Sequence, residues 1–163
     1  MSSDDALGQL LQMIDSRTAF VGLGNRDRGD DAIGLMFIDD LEHLNPERFL
    51  SEEDGLESVL LAIINDKEIA KVVFVDSCDI GAKPGTCALL KLDSIDETIS
   101  THKIPLSMLM ALLQNAGKET ILFGIQPKSL DFQSELSREA AKILGQLKDA
   151  VKSKLKAEVA SER

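Results

Sequence analysis

Asp31, Asp76 and His102 are the side chains whose chemical types could act together in this sequence. Two carboxylates and an imidazole make an incomplete shell for a divalent metal of borderline softness, nickel or zinc rather than calcium. Positions stay open for water or for ligands brought by another molecule. Each residue also has an ordinary role available. Aspartates cap helices, an aspartate closing a strand forms a turn, and a lone histidine hydrogen-bonds at a surface. The other histidine, His43, falls near the end of the first long helix, where it suits the negative end of the helix dipole. Cys78, two residues past Asp76, is a formal candidate nucleophile. Nothing in the sequence lowers its pKa, and no serine or cysteine has an evident histidine-carboxylate partner.

The element that must position Asp31 is Val21 to Gly34, V-G-L-G-N-R-D-R-G-D-D-A-I-G, an apolar strand joined to a helix by a glycine-punctuated loop. Gly22, Gly24 and Gly29 allow positive φ and close backbone approach. Asp30 is expected at the N-cap and Asp31 in the first turn, where unsatisfied N–H groups keep a carboxylate ionised. The strand spans Thr18 to Leu23, and the helix buries Ile33, Met36, Phe37, Leu41 and Leu44. Arg48 to Ser51 is a poor strand candidate, followed by a Glu52-Glu53-Asp54-Gly55 turn. Leu56, Val59, Leu60, Ile63 and Ile64 mark the next helix. Lys71 to Val75 is a central parallel strand ending in Asp76-Ser77, and Thr86 to Leu92 is a further strand, antiparallel at an edge. Pro105 opens a helix with Leu106, Leu109, Met110 and Leu113 inward. Thr120 to Gly124 is the last strand. A long helix from near Ser134 buries Leu136, Ala140, Ile143, Leu144, Leu147, Val151 and Leu155.

The expected architecture is one α/β domain over residues 1–163, a three-layer α/β/α sandwich on a mostly parallel sheet of about five strands. Residues 1–17 form an N-terminal helical extension, and 157–163 a disordered tail. Ligands of such sheets gather beyond the carboxyl ends of the strands, where Asp31, Asp76 and His102 can share one rim.

A net charge of −10 over 163 residues argues against a nucleic acid or an anionic membrane as the main partner. The two cysteines lack a C-x-x-C arrangement, no apolar run reaches membrane-spanning length, and the M-S-S-D-D start is acidic. These features predict a reduced, cytoplasmic protein without a signal peptide. G-x-G-N-x-x-x-G lacks dinucleotide-binding spacing, and paired aspartates at a helix start repel phosphate, so no organic cofactor is expected.

Four motifs in register, Gly22 to Gly34, V-D-S-C-D-I-G-A-K-P-G (Val75 to Gly85), S-T-H-K-I-P-L (Ser100 to Leu106) and G-I-Q-P (Gly124 to Pro127), resemble the hydrogenase maturation endopeptidases from about Thr18 to Ala150. The last two most resemble the hydrogenase-3-type branch. The resemblance implies a cytoplasmic protease that removes the C-terminal extension of a NiFe-hydrogenase large-subunit precursor after nickel insertion. It further implies Asp31, Asp76 and His102 as metal ligands and catalytic residues, with the nickel carried by the substrate. The enzyme would act as a monomer, with no nucleic acid and no membrane. Family members place a strand and an Asp-Gly-Gly turn between the first two helices, with that aspartate a catalytic participant. The nearest match here is Asp54-Gly55-Leu56. Three other readings compete: a non-cleaving chaperone of nickel-loaded precursor, a phosphate or nucleotide module, and a peptidyl-tRNA hydrolase, which also opens with G-L-G-N but would need tRNA to approach an acidic chain.

Overall fold

The computed structural model describes residues 2–95 and 105–162. Strand and helix alternate as α1 (Ser3–Met13), β1 (Thr18–Gly22), α2 (Ile33–Leu41), β2 (Phe49–Ser51), α3 (Leu56–Asn65), β3 (Lys71–Ser77), β4 (Cys87–Leu90), α4 (Leu106–Asn115), β5 (Glu119–Ile125) and α5 (Arg138–Ser161). The sheet order is β2-β1-β3-β5-β4. Three of the four pairings are parallel. Only β4 runs antiparallel, against β5 at the edge, as the short link from β3 requires.

Period-two alternation sorts the strand side chains into two cores. Phe20, Val73, Val75, Ile121 and Phe123 pack with α1, α2 and α5 on one face. Ala19, Val21, Val72, Phe74 and Leu122 pack with α3 and α4 on the other. This is the expected three-layer α/β sandwich. It also explains why K-V-V-F-V is apolar throughout, since β3 is covered on both faces. No helix among the described residues is long and apolar enough to cross a membrane.

Three expectations need correction. Phe49–Ser51 is a genuine parallel strand, β2, paired through Phe20↔Phe49. What secures it is the Phe49 ring stacked on Phe20 at 5.0 Å between centroids, with Phe37 5.6 Å from Phe20, a tertiary contact that alternation in the sequence cannot register. The expected disordered end over 157–163 is helical as far as Ser161. Its lysines, alanines and glutamates are good helix formers that extend a helix already anchored by Leu147 and Val151. The same helix starts at Arg138, later than expected, with Ser137 as its N-cap. The N-terminal segment is docked: α1 buries Ala6 and Leu10, and the Cys87 N–H donates to Ser3 Oγ at 3.1 Å.

From β1 the chain leaves through α2 on one face to β2, then returns through α3 on the opposite face to β3. The order therefore reverses between β1 and β3, and a crevice opens beyond their carboxyl ends. Glycine lets the start of α2 close the bottom of that crevice. A Cβ on Gly34 would stand 2.2 Å from the Val75 carbonyl oxygen and 2.3 Å from that of Leu23.

Both obstacles at Gly34 are backbone. Gly34→Ala should therefore lower stability by about 1–3 kcal/mol in urea unfolding. Gly145→Ala, inside α5 with nothing within 4 Å of the added methyl, should raise it by about 0.5–1 kcal/mol. Equal midpoints for the two variants would contradict the close approach at Gly34.

Candidate active site

The glycine loop turns through a single 3-10 turn, Gly29–Ala32, before α2 begins. Asp30 is consequently not the N-cap of α2, a position held by Ala32 without a side-chain bond. The Asp30 carboxylate, 2% exposed, turns toward the segment between β5 and α5. It accepts from the Lys128 N–H at 2.8 Å, the Ser137 N–H at 2.7 Å and the Ser137 hydroxyl at 2.7 Å. Its role is to bolt that segment to the glycine loop.

Asp31 and Asp76 both lie at the carboxyl ends of the strands that border the crevice. Both are buried, at 6% and 2% exposure. Asp76 lies within β3, opposite Gly124 of β5, and the next residue, Ser77, donates its hydroxyl to Asp31 Oδ1 at 2.8 Å. Gly24, at φ +138°, lies between the Asp31 backbone and the Asp76 side chain. A Cβ there would collide with the Asp31 carbonyl oxygen at 1.9 Å and stand 3.8 Å from Asp76 Oδ1. Hydrogen bonds from Asn25 N–H to the Asp31 carbonyl (3.1 Å) and from Asp31 N–H to the Arg28 carbonyl (3.0 Å) fix the turn. Two buried carboxylates beside one rim are natural donors for a divalent cation. His102 lies outside the described residues, and among the described residues no group of three His, Cys, Asp or Glu side chains could hold a metal ion.

The acidic turn after β2 borders the glycine loop. Asp54 is exposed. Glu52, earlier in the same 3-10 turn, reaches the glycine loop, where its Oε1 accepts from the Gly24 N–H at 2.8 Å. Sequence reasoning missed Glu52 because its partner is 28 residues away. Arg26 adds a second tie across this corner, at 2.6 Å from Asp39 and 2.7 Å from Glu53, though its exposure to solvent keeps that contribution small. The G-I-Q-P motif also gains a physical meaning. Gln126 Oε1 accepts from the Ile80 N–H at 2.7 Å and the Ala82 N–H at 3.4 Å, pinning the chain that leaves β3 just past Asp76.

Cys78 is no nucleophile in this fold. It is buried in the α3/α4 core, and its Sγ stands 2.2 Å from where a Gly124 Cβ would be. Burial, reinforced by Asp76 and Asp79, pushes its thiol up to about 12. A cavity of about 430 Å³ opens between α5 and the start of β2, lined among others by Leu44, Phe49 and Val159. It lies at the amino end of the strands, away from the carboxylate pair.

Comparison with known proteins places these features in context. The hydrogenase maturation protease family matches residues 56–157. A Methanocaldococcus jannaschii relative, provisionally named a hydrogenase maturation protease, is 30% identical over 78% of this chain and 94% of its own. The hydrogenase 3 maturation protease of Escherichia coli K12 is 27% identical over 80% of this chain and 81% of its own. A NiFe-hydrogenase maturation protease from Thermococcus kodakarensis shares the fold. Its crystal structure aligns with a TM-score of 0.74 at 24% identity, covering 91% of this chain and 99% of that one.

Two outcomes test the site as described. Native protein at pH 8, well below the thiol pKa, should resist iodoacetamide at Cys78 and label there only in urea; native labelling would contradict the burial. Asp30→Ala, which strands three donors, should cost on the order of 3 kcal/mol and expose residues 127–137 to limited proteolysis. An unchanged digestion pattern would sink the role given to Asp30.

Proposed function

Because the chain belongs to the hydrogenase maturation protease family, we propose that this peptidase removes the C-terminal extension of a NiFe-hydrogenase large-subunit precursor once nickel has been inserted. The observation that carries this reading is the buried Asp31–Asp76 pair at the crevice between β1 and β3, the place in an open α/β sheet where ligands are received. In the proposal, nickel belongs to the substrate. Asp31, Asp76 and His102 complete its coordination and so hold the neighbouring scissile peptide at the rim, making recognition and positioning one event. Hydrolysis adds water oxygen to the peptide carbonyl carbon, breaks the C–N bond and delivers a proton to the departing amine.

This chain's own residues support that arrangement. Ser77 orients Asp31 through its hydroxyl, leaving Asp31 Oδ2 for an incoming ligand, and Glu52 anchors the Gly24 backbone between the two aspartates. The motif forms T-H-K-I-P-L and G-I-Q-P favour a hydrogenase-3-type substrate. A cytoplasmic, monomeric enzyme completes the proposal.

Incubating purified precursor, nickel-loaded or nickel-free, with wild-type protein should shift only the loaded form on a gel. Asp31→Asn, Asp76→Asn and His102→Ala should each slow processing by at least a hundredfold, while Asp54→Asn should retain most activity. Cleavage of nickel-free precursor would overturn substrate nickel as the gate, and native-rate cleavage by His102→Ala would remove that residue from the site. Tight binding of loaded precursor without cleavage would instead identify a chaperone.

A further inference from the structure

Five of the six phenylalanines, Phe20, Phe37, Phe49, Phe74 and Phe123, are at most 2% exposed, whereas Phe132 is 70% exposed, and the chain has no tryptophan or tyrosine. A solitary exposed aromatic is unremarkable on a loose tail. Phe132 is on nothing of the kind. Its loop, between β5 and α5, is fastened to the glycine loop along its length. The Asp30 N–H donates to the Ser129 carbonyl at 3.0 Å, Arg28 Nε to the Leu130 carbonyl at 3.2 Å, and the Gln133 N–H to the Asp27 carbonyl at 2.6 Å. The Asp30 carboxylate closes both ends by holding Lys128 and Ser137. Within the loop, the Ser134 hydroxyl donates to the Asp131 carbonyl at 2.7 Å.

Two further features show that this loop is built. Gly29 is required for its passage, since a Cβ there would stand 2.4 Å from Ser134 Oγ and 2.6 Å from the Ser129 carbonyl oxygen. Gln133, directly after Phe132, adopts φ +61°, the one positive φ outside glycine among the described residues. A glutamine held in that region is strained, and such strain persists where the surroundings over-determine it. The ring is thereby presented on a rigid arm whose bolt, Asp30, is the covalent neighbour of Asp31.

We propose that the 127–137 loop is the docking arm for the precursor protein, with Phe132 entering an apolar pocket on the folded large subunit. This rests on the processing reading given above. The occupant follows from continuity with the candidate site: a body gripped at Phe132 is registered, through one hydrogen-bonded unit, against the carboxylate that receives its C-terminal region. Other exposed apolar side chains, such as Leu61 on α3 and Met108 and Leu112 on α4, stand on helices without this connection to Asp31. Aromatic anchors in desolvated pockets characteristically dominate protein interfaces.

The test measures Kd for nickel-loaded precursor protein together with processing kinetics, for full-length wild type, Phe132→Ala, Phe132→Leu and Met108→Ala. Phe132→Ala should raise Kd and KM at least tenfold with kcat and melting temperature unchanged. Phe132→Leu should recover most of the loss, and Met108→Ala should match wild type. A Phe132→Ala Kd within twofold of wild type, with processing intact, overturns the docking arm and leaves the protease reading standing. If wild type binds without cutting and Phe132→Ala weakens that binding at least tenfold, the arm stands and the protease reading falls. Absence of any binding by wild type overturns both. A wild-type dimer dissociated by Phe132→Ala, with precursor affinity unchanged, assigns the ring to a second copy of this chain and overturns the proposal.

Discussion

Everything at the crevice depends on how closely the start of α2 approaches the ends of β1 and β3. Gly34 makes this contact because it interposes no side chain between the helix and the carbonyls of Leu23 and Val75. The Leu23 N–H donates to that same Val75 carbonyl at 3.0 Å, so strand pairing and helix seating meet at one carbonyl. With the helix pressed down, the preceding 3-10 turn has nowhere to go but over the end of β3. Asp31 then arrives above Ser77, and Asp30 arrives beside the β5–α5 segment. Adjacent aspartates thus face two tasks, one structural and one at the site. Sub-ångström slack at Gly34 would misplace both.

Taking two carboxylates out of water at one rim is costly unless their oxygens are compensated. Asp30 is compensated fully by the chain itself, with three donors, and such a group is a fixed part of the frame. Asp31 has one of its oxygens on the Ser77 hydroxyl. The contrast separates the two aspartates more sharply than exposure does, since both are buried. It also explains the density of hydrogen bonds around them: a site that must hold buried charge in register needs its supporting residues fixed before any ligand arrives.

Local patterns announced most of the fold and only part of the site. Strand β3 was legible because burial on both faces writes a continuous apolar run, and α2 through α5 because each buries one stripe. The glycine loop was legible because few sequences need so many glycines around two aspartates. Strand β2 was not, since its three residues are held by Phe49 stacking on Phe20, a contact with no periodic signature. Likewise, Asp30 could not be separated from an ordinary cap because its partners lie 98 and 107 residues away. Glu52 hid behind Asp54 for the same reason. The turn chemistry of Asp54-Gly55 is visible locally, whereas the reach from Glu52 to Gly24 exists only once β1 and β2 are side by side.

The placement of the 430 Å³ cavity at the opposite end of the sheet bears on what kind of substrate this architecture serves. An enzyme for a small molecule encloses most of its ligand, and its pocket and chemistry coincide. Here the buried carboxylates lie at a rim framed by loops. A folded protein offers area elsewhere, so affinity can be gathered on the surrounding loops while the rim needs only to receive one segment. The rigid ties among the glycine loop, the Glu52 turn and the β5–α5 segment then acquire a purpose beyond stability. Binding energy won at a distance from Asp31 and Asp76 improves alignment there only if the intervening structure does not yield. These hydrogen bonds supply that stiffness, tying the glycine loop, the Glu52 turn and the β5–α5 segment into one frame around the two aspartates.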